Sequence, residues 1–185
     1  SKIYARSIIE EFSIRFDENI HCLEDLLFMY QYLLHCDYLV LNHMQNYVYV
    51  KHSFSLSHRI HSFESEYCCF VKYQQLLAEM MKVWKIPAGD MVVTVNSMLV
   101  PFRRALKSDY QPDRTIPREM RVKHLKRMIS ESRDVFLKYY HPVFKTDKLG
   151  KVLLGFNCYI LYDFYIRLLF RLNIGPVFYG PKHMY

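Results

Sequence analysis

Two adjacent carboxylates, Glu24 and Asp25, carry the most specific chemistry in the sequence. Leu23, Leu26, Leu27, Tyr30, Leu33 and Leu34 recur at helical spacing, which predicts a helix beginning near Glu24. The pair then sits in a first turn, where unsatisfied N–H groups and the positive dipole end favour ionised carboxylates. A carboxylate held deprotonated beside a cleft can accept a proton from a substrate hydroxyl. Two acids at a helix start can also do no more than complement the dipole, and position alone does not separate these roles.

Other reactive side chains point to less. Five cysteines, Cys22, Cys36, Cys68, Cys69 and Cys158, include no CxxC pair, so a zinc ribbon, a dithiol redox motif and a disulfide framework lose support. Free thiols in a reducing cytosol are the expectation. Of nine histidines, His58 and His61 can share a helix face, and His35, His43 and His52 surround a candidate strand region. No H-E-x-x-H, H-x-H or Cys/His zinc spacing occurs. There is no glycine-rich phosphate loop.

The elements that must position the acidic pair are mostly helical. After the helix at Glu24, residues 38–50 are rich in Tyr, Val and Leu and predict one or two short strands. Ile60, Phe63, Tyr67, Phe70, Leu77, Met81 and Trp84 then mark a long amphipathic helix that Pro87 should close. Residues 91–106 predict a helix that Pro101 kinks or starts, with 91–95 also readable as a buried strand. Pro117 predicts a helix running to about Tyr140, stopped by His141 and Pro142. A last apolar stretch spans 152–172. The fold class expected is mainly α with a small β element.

Composition sets the limits. The chain has 185 residues, 51% hydrophobic and 23% charged, with five glycines, 16 Tyr and 13 Phe, and this excludes disordered and fibrous classes. It opens at Ser1 with no charged-then-apolar leader, which predicts no secretory signal and suggests a piece of a longer protein. The net charge of +7 is uneven. Residues 101–127 hold nine bases against three acids, whereas 1–35 hold three bases against six acids. Such a band attracts polyanions, or it is a solvated helix face. No nucleic-acid motif accompanies it, so an anionic membrane surface fits better than nucleic acid.

Residues 152–170 approach the length of a bilayer span, but Asn157, Asp163 and Arg167 interrupt them. These three and Arg171 are expected on one wet stripe, with Asp163 and Arg167 paired at i,i+4. Such a helix suits the membrane surface or the protein core. Lys145, Lys148 and Lys151 before it, and Tyr159, Tyr162, Phe164 and Tyr165 within it, suit a water–lipid boundary.

The ordered run Lys2, Tyr4, Arg6, then Ile14, Arg15, Phe16, Glu18, Ile20, then Glu24, Asp25, Phe28 resembles the C-terminal part of the catalytic domain of family 2 glycosyltransferases. The likeness covers residues 2–57. Tyr47, Tyr49, Ser55 and Ser57 look like the family's later Y-Y-Y-R-Q-R-x-N-S-I-S stretch, with Val50, His52 and Phe54 in place of its two arginines and its asparagine. The family is inverting and has the α/β GT-A fold. The resemblance therefore implies that residues 1–58 are the acceptor-side end of such a domain and 59–185 a helical C-terminal extension.

It implies Asp25 as general base toward an acceptor-sugar hydroxyl and Glu24 as a positioning residue. Lys2, Arg6, His52 and Ser55 are implied near the substrates. A divalent ion, Mg²⁺ or Mn²⁺, is expected in the complete enzyme, with ligands outside this chain, because no D-x-D occurs in it. The partners implied are a nucleotide-sugar donor and a glycan acceptor. The expected setting is the cytoplasm, peripheral at the inner membrane, with self-association through cleft-side apolar residues. This chain alone is expected not to transfer sugar. A non-catalytic helical module that binds a membrane or a partner is the alternative.

Overall fold

A computed structural model describes residues 2–41, 48, 50, 59–87, 89–111, 114–142, 144–172 and 174. In chain order the helices are α1 (Arg6–Glu11), α2 (Glu24–Leu33), α3 (Phe63–Val83), α4 (Met91–Ser97), α5 (Leu99–Ser108), α6 (Arg118–Ser132), α7 (Lys145–Gly155) and α8 (Tyr159–Leu172). A π-helical turn, Arg133–Leu137, continues α6. The described residues are mainly helical and contain no strand. That corrects the small β element where it can be seen: residues 38–41, 48 and 50 belong to no strand and are exposed. Residues 42–47, 49 and 51–58 lie outside the described residues. Residues 91–95 form α4, not a strand.

α3 is the axis of the fold. Ser62 caps its start, accepting from the Ser65 N–H, and Glu64 and Glu66 occupy the first turn. Phe63, Tyr67, Phe70, Tyr73, Leu77 and Met80 bury one stripe along it. The helix ends before Pro87. Lys85 adopts a left-handed φ of 50° and the Ile86 N–H reaches back to the Met81 carbonyl at 3.1 Å, a Schellman closure that terminates α3 at Val83 without the proline. Pro101 explains the break between α4 and α5. It is the third residue of α5, where a missing N–H costs nothing, and the helical ladder restarts at Met98.

The main core gathers Phe70, Val95, Ala105, Leu125, Met128 and Ile129 from α3 to α6, with Ile166 and Leu169 from α8. Phe70 meets Phe102 edge to face at 5.6 Å. Ile20 and Leu27 belong to the same core, so α2 packs on α3. A second, smaller cluster comprises Ile14, Phe28 and Tyr32, with Tyr4, Ile8 and Ile9 partly buried against it. α2 touches both clusters.

Two expectations for the C-terminal stretch are corrected. It is not one helix: α7 ends at Gly155, Asn157 takes φ 58°, and the Cys158 N–H donates to the Leu153 carbonyl at 2.8 Å. No helix among the described residues is long and apolar enough to cross a membrane. Nor is the polar stripe wet throughout: Asn157, Arg167 and Arg171 are exposed, but Asp163 turns inward. Asp163 is 1% exposed and bound to Arg121, with Nε at 2.6 Å and Nη2 at 3.0 Å, and to the Tyr110 hydroxyl at 2.8 Å. The partner of Asp163 is therefore the buried Arg121 of α6 and not Arg167 one turn along α8, which is exposed.

Much of the basic band is engaged in contacts within the protein. Arg103 binds Asp147 at 2.6 Å, and Arg104 grips both Glu66 oxygens at 2.8 Å. Arg114 donates to the carbonyls of Ile60, His61 and Ser108. Arg127 pairs with Glu64 at 2.9 Å and covers the Tyr67 ring. His124 meets Asp109 at 2.8 Å and stacks on Phe63. Most of the arginines that look like a polyanion band hold helices together. Arg118, Lys123, Lys126 and Arg127 remain exposed.

Candidate functional site

The acidic pair stands where the periodicity predicts. Glu24 and Asp25 open α2, and the first helical bond runs from the Leu27 N–H to the Leu23 carbonyl at 3.1 Å. Leu23 itself is left-handed, at φ 65° and ψ 15°. That conformation costs a residue with a Cβ about 1–2 kcal/mol. Leu23 is partly buried against the main core, and that packing holds the strained backbone in place. The consequence is a fixed entry angle for the two carboxylates.

Successive residues on a helix do not share a face, and the two acids diverge. Glu24 lines an open cleft of about 360 Å³ together with Arg15, Asp17, Glu18, Gln31 and Lys72, over a floor of Leu27 and Phe28. Asp25 is exposed and does not line that cleft. It lies on the Tyr4 side. Burial first, then the Asp25 charge, pushes the Tyr4 phenol above its ordinary value.

The cleft wall is built from two elements. Lys72 reaches across from α3 to the Asp17 carboxylate. The other Asp17 oxygen accepts from the Asn19 backbone at 2.9 Å and its side-chain amide at 3.0 Å, which closes a tight turn. The Arg15 guanidinium donates to the Ile14 carbonyl at 2.7 Å. Phe16 stacks on Phe28 at 4.6 Å with 15° between planes and leaves its own ring more than half exposed. Carboxylates, an amide, cations and an exposed aromatic edge together form a surface able to hydrogen-bond a polyhydroxylated ligand. Glu24 and Glu18 are carboxylates on its lining.

The remaining expected residues fall elsewhere. Lys2 is exposed. Arg6 is exposed and tied to Glu10 one helical turn on, at 2.7 Å. Neither lines the cleft. His52 and Ser55 lie outside the described residues. Among the described residues no group of three or more His, Cys, Asp or Glu side chains is disposed to hold a metal ion. His61 approaches His21 at 5.1 Å, and burial pushes its pKa down.

Sequence reasoning nominates neither Gln31 nor Lys72 for the cleft. Gln31 stands two turns along α2 from Glu24, and that spacing was a usable signal. Lys72 comes from α3 and carries no local signal, since only the packing of α2 on α3 brings it near. Compared with protein-family models, with curated proteins and with solved structures, the chain finds no match.

Proposed function

We propose that this chain is the acceptor-side, C-terminal part of an inverting family 2 glycosyltransferase of GT-A type. In that reading it works at the cytoplasmic face of a membrane on a nucleotide-sugar donor and a glycan acceptor. The observation that carries the reading is the acidic pair. It opens α2 directly after a strained Leu23, and one of its members faces an open polar cleft. Of the ordered residues that resemble the family, Arg15, Phe16, Glu18, Glu24 and Phe28 line that cleft.

In this mechanism the acceptor hydroxyl lies beside the start of α2 and loses its proton to a carboxylate as the oxygen attacks the anomeric carbon. The nucleoside diphosphate leaves from the opposite face. Asp25 is the base by resemblance, and Glu24 holds the acceptor from the cleft side. A divalent ion, when bound in the complete enzyme, neutralises the diphosphate. The described residues offer no cluster to hold one, and proton acceptance at residues 24 and 25 does not use it.

The test separates the two acids in the complete enzyme. Asp25→Asn is expected to lower kcat at least a hundredfold while nucleotide-sugar binding is kept. Glu24→Gln is expected mainly to raise KM for the acceptor. Full turnover in both variants contradicts the proposal, and the reverse pattern moves the base to Glu24. The alternative, a non-catalytic helical module, is supported by a separate observation, the exposed apolar face of α8.

A further inference from the structure

α8 is amphipathic the wrong way round for a simple surface helix. Its acid, Asp163, turns inward, while Ile160, Leu161, Phe164, Leu168 and Leu172 are exposed, Phe164 at 66%. At 100° per residue these five side chains fill an arc of about 120°, and Arg167 and Arg171 lie along one edge of it. Phe156, 78% exposed in the bend between α7 and α8, extends the apolar surface, and Leu149 and Val152 of α7 are exposed too. A contiguous apolar surface of this kind marks a contact site.

The charges around this surface identify its occupant. α7 and α8 carry two acids, and both are tied inward: Asp147 to Arg103 at 2.6 Å and Asp163 to Arg121 at 2.6 Å. Every exposed charge on these two helices is positive: Lys145, Lys148, Arg167 and Arg171. A second copy docking by these two helices would bring like charges together with no exposed carboxylate on either helix to answer them. An anionic lipid surface answers both features, since apolar side chains enter the acyl boundary and long cationic side chains reach the head groups. α8 has 14 residues, about 21 Å of helix against a hydrocarbon core of about 30 Å, so it lies in the interface and does not span it.

The hairpin is stiff enough to present the face. The Tyr165 hydroxyl donates to the Thr146 carbonyl at 2.9 Å, and a Cβ at Gly150 would stand 3.2 Å from the Tyr162 ring, so α7 and α8 are in close contact.

We infer that the outer face of α8, with Phe156, is a monotopic docking surface for anionic membrane. This stands whether or not Glu24 and Asp25 are catalytic. The test is co-sedimentation of the full chain with vesicles of phosphatidylcholine, with and without phosphatidylglycerol, combined with amide exchange and sedimentation velocity. Expected is binding to the anionic vesicles that weakens as salt rises, with α8 amides protected by lipid.

Phe164→Asp, at an exposed position and with folding checked by circular dichroism, should weaken partitioning about tenfold or more. Arg167→Glu with Arg171→Glu should abolish the preference for phosphatidylglycerol while leaving the apolar face in place. Equal binding by Phe164→Asp and the unaltered chain overturns the inference. So does a chain that ignores vesicles and forms a dimer that Phe164→Asp dissociates, because the face would then belong to a second copy.

Discussion

The Asp163 carboxylate, held between the Arg121 guanidinium and the Tyr110 hydroxyl, links α8 to α6 and to the turn after α5 through one buried charge. Burial pushes an aspartate up, but the hydrogen bonds from Arg121 and Tyr110 outweigh it and hold Asp163 below its ordinary value of 3.8. A carboxylate depressed on folding stabilises the native state fully above that ordinary value. Its contribution fades as pH falls through the lower, folded value. Asp109 and Asp147 run the other way. Burial leads in raising both, despite His124 beside one and Arg103 beside the other, so their cost to folding disappears as acid protonates them. Asp163→Asn leaves the Arg121 charge buried without its counter-ion and should lower stability at pH 7 by about 3–5 kcal/mol. The same change should flatten the dependence of stability on pH below about 4. Urea midpoints at pH 7 and pH 3 measure both effects. A midpoint unchanged at pH 7 would show that the pair contributes nothing, and replacing Arg121 and Asp163 together by Met and Leu should recover most of the loss.

Three helices end in the same way although the chain has few glycines. α1, α3 and α7 close with Ser13, Lys85 and Asn157 at φ 50°, 50° and 58°, and the next N–H in each case returns to the carbonyl five residues back. Glycine would take that position without strain. Lys85 is exposed, and Lys85→Gly should stabilise the protein by about 0.5–1 kcal/mol, a rise in Tm of about 2–4 °C. Asn157→Gly should give no such gain. The Asn157 side-chain oxygen accepts from Arg133 at 2.6 Å and from the Tyr159 hydroxyl at 2.9 Å, and those bonds are lost with it. Thermal melts of the two variants separate backbone strain from side-chain hydrogen bonding, and an equal rise in both would remove any role for the Asn157 amide. These turns also account for what the sequence hides. The starts at Glu24, Phe63 and Arg118 are legible because apolar periodicity, acids and a proline coincide there. The break at Asn157 is not, since a left-handed asparagine inside an apolar run looks like any other polar residue. Asp163 was misleading for a related reason: Arg167 is its neighbour in sequence, but its partner Arg121 is 42 residues away. The site divides similarly, with Glu24 and Asp25 readable from their helix start and Lys72 supplied only by packing.

At the scale of the molecule, the cleft lies on the seam between two cores of unequal size. Leu27 on its floor belongs to the main core and Phe28 beside it to the small cluster. Across the seam run the Lys72–Asp17 ion pair and the Ser65 hydroxyl donating to the Asn19 carbonyl at 2.9 Å. Beyond it, α1 buries no residue fully and rests on Ile14, Phe28 and Tyr32, with Tyr4 edge-on to both rings. So small a cluster opposes little conformational entropy, and the N-terminal segment should open locally before the body unfolds. Amides of residues 6–14 should therefore exchange faster than those of α3 and α5 at a pH where the whole protein is stable. Tyr32→Phe deletes the acceptor of the Ala5 N–H, a bond of 2.8 Å. It should speed exchange around α1 about fivefold, as the loss of about 1 kcal/mol implies, while α3 and the main melting transition stay unchanged. Lys72→Ala should loosen the same segment from the other side of the cleft. If α1 exchanges at the rate of α3 in all three proteins, the two cores unfold together, and the cleft has a rigid wall on both sides. If it exchanges first, the wall that carries Arg15 and Glu18 can move against Glu24, and ligand binding in the cleft should slow that exchange.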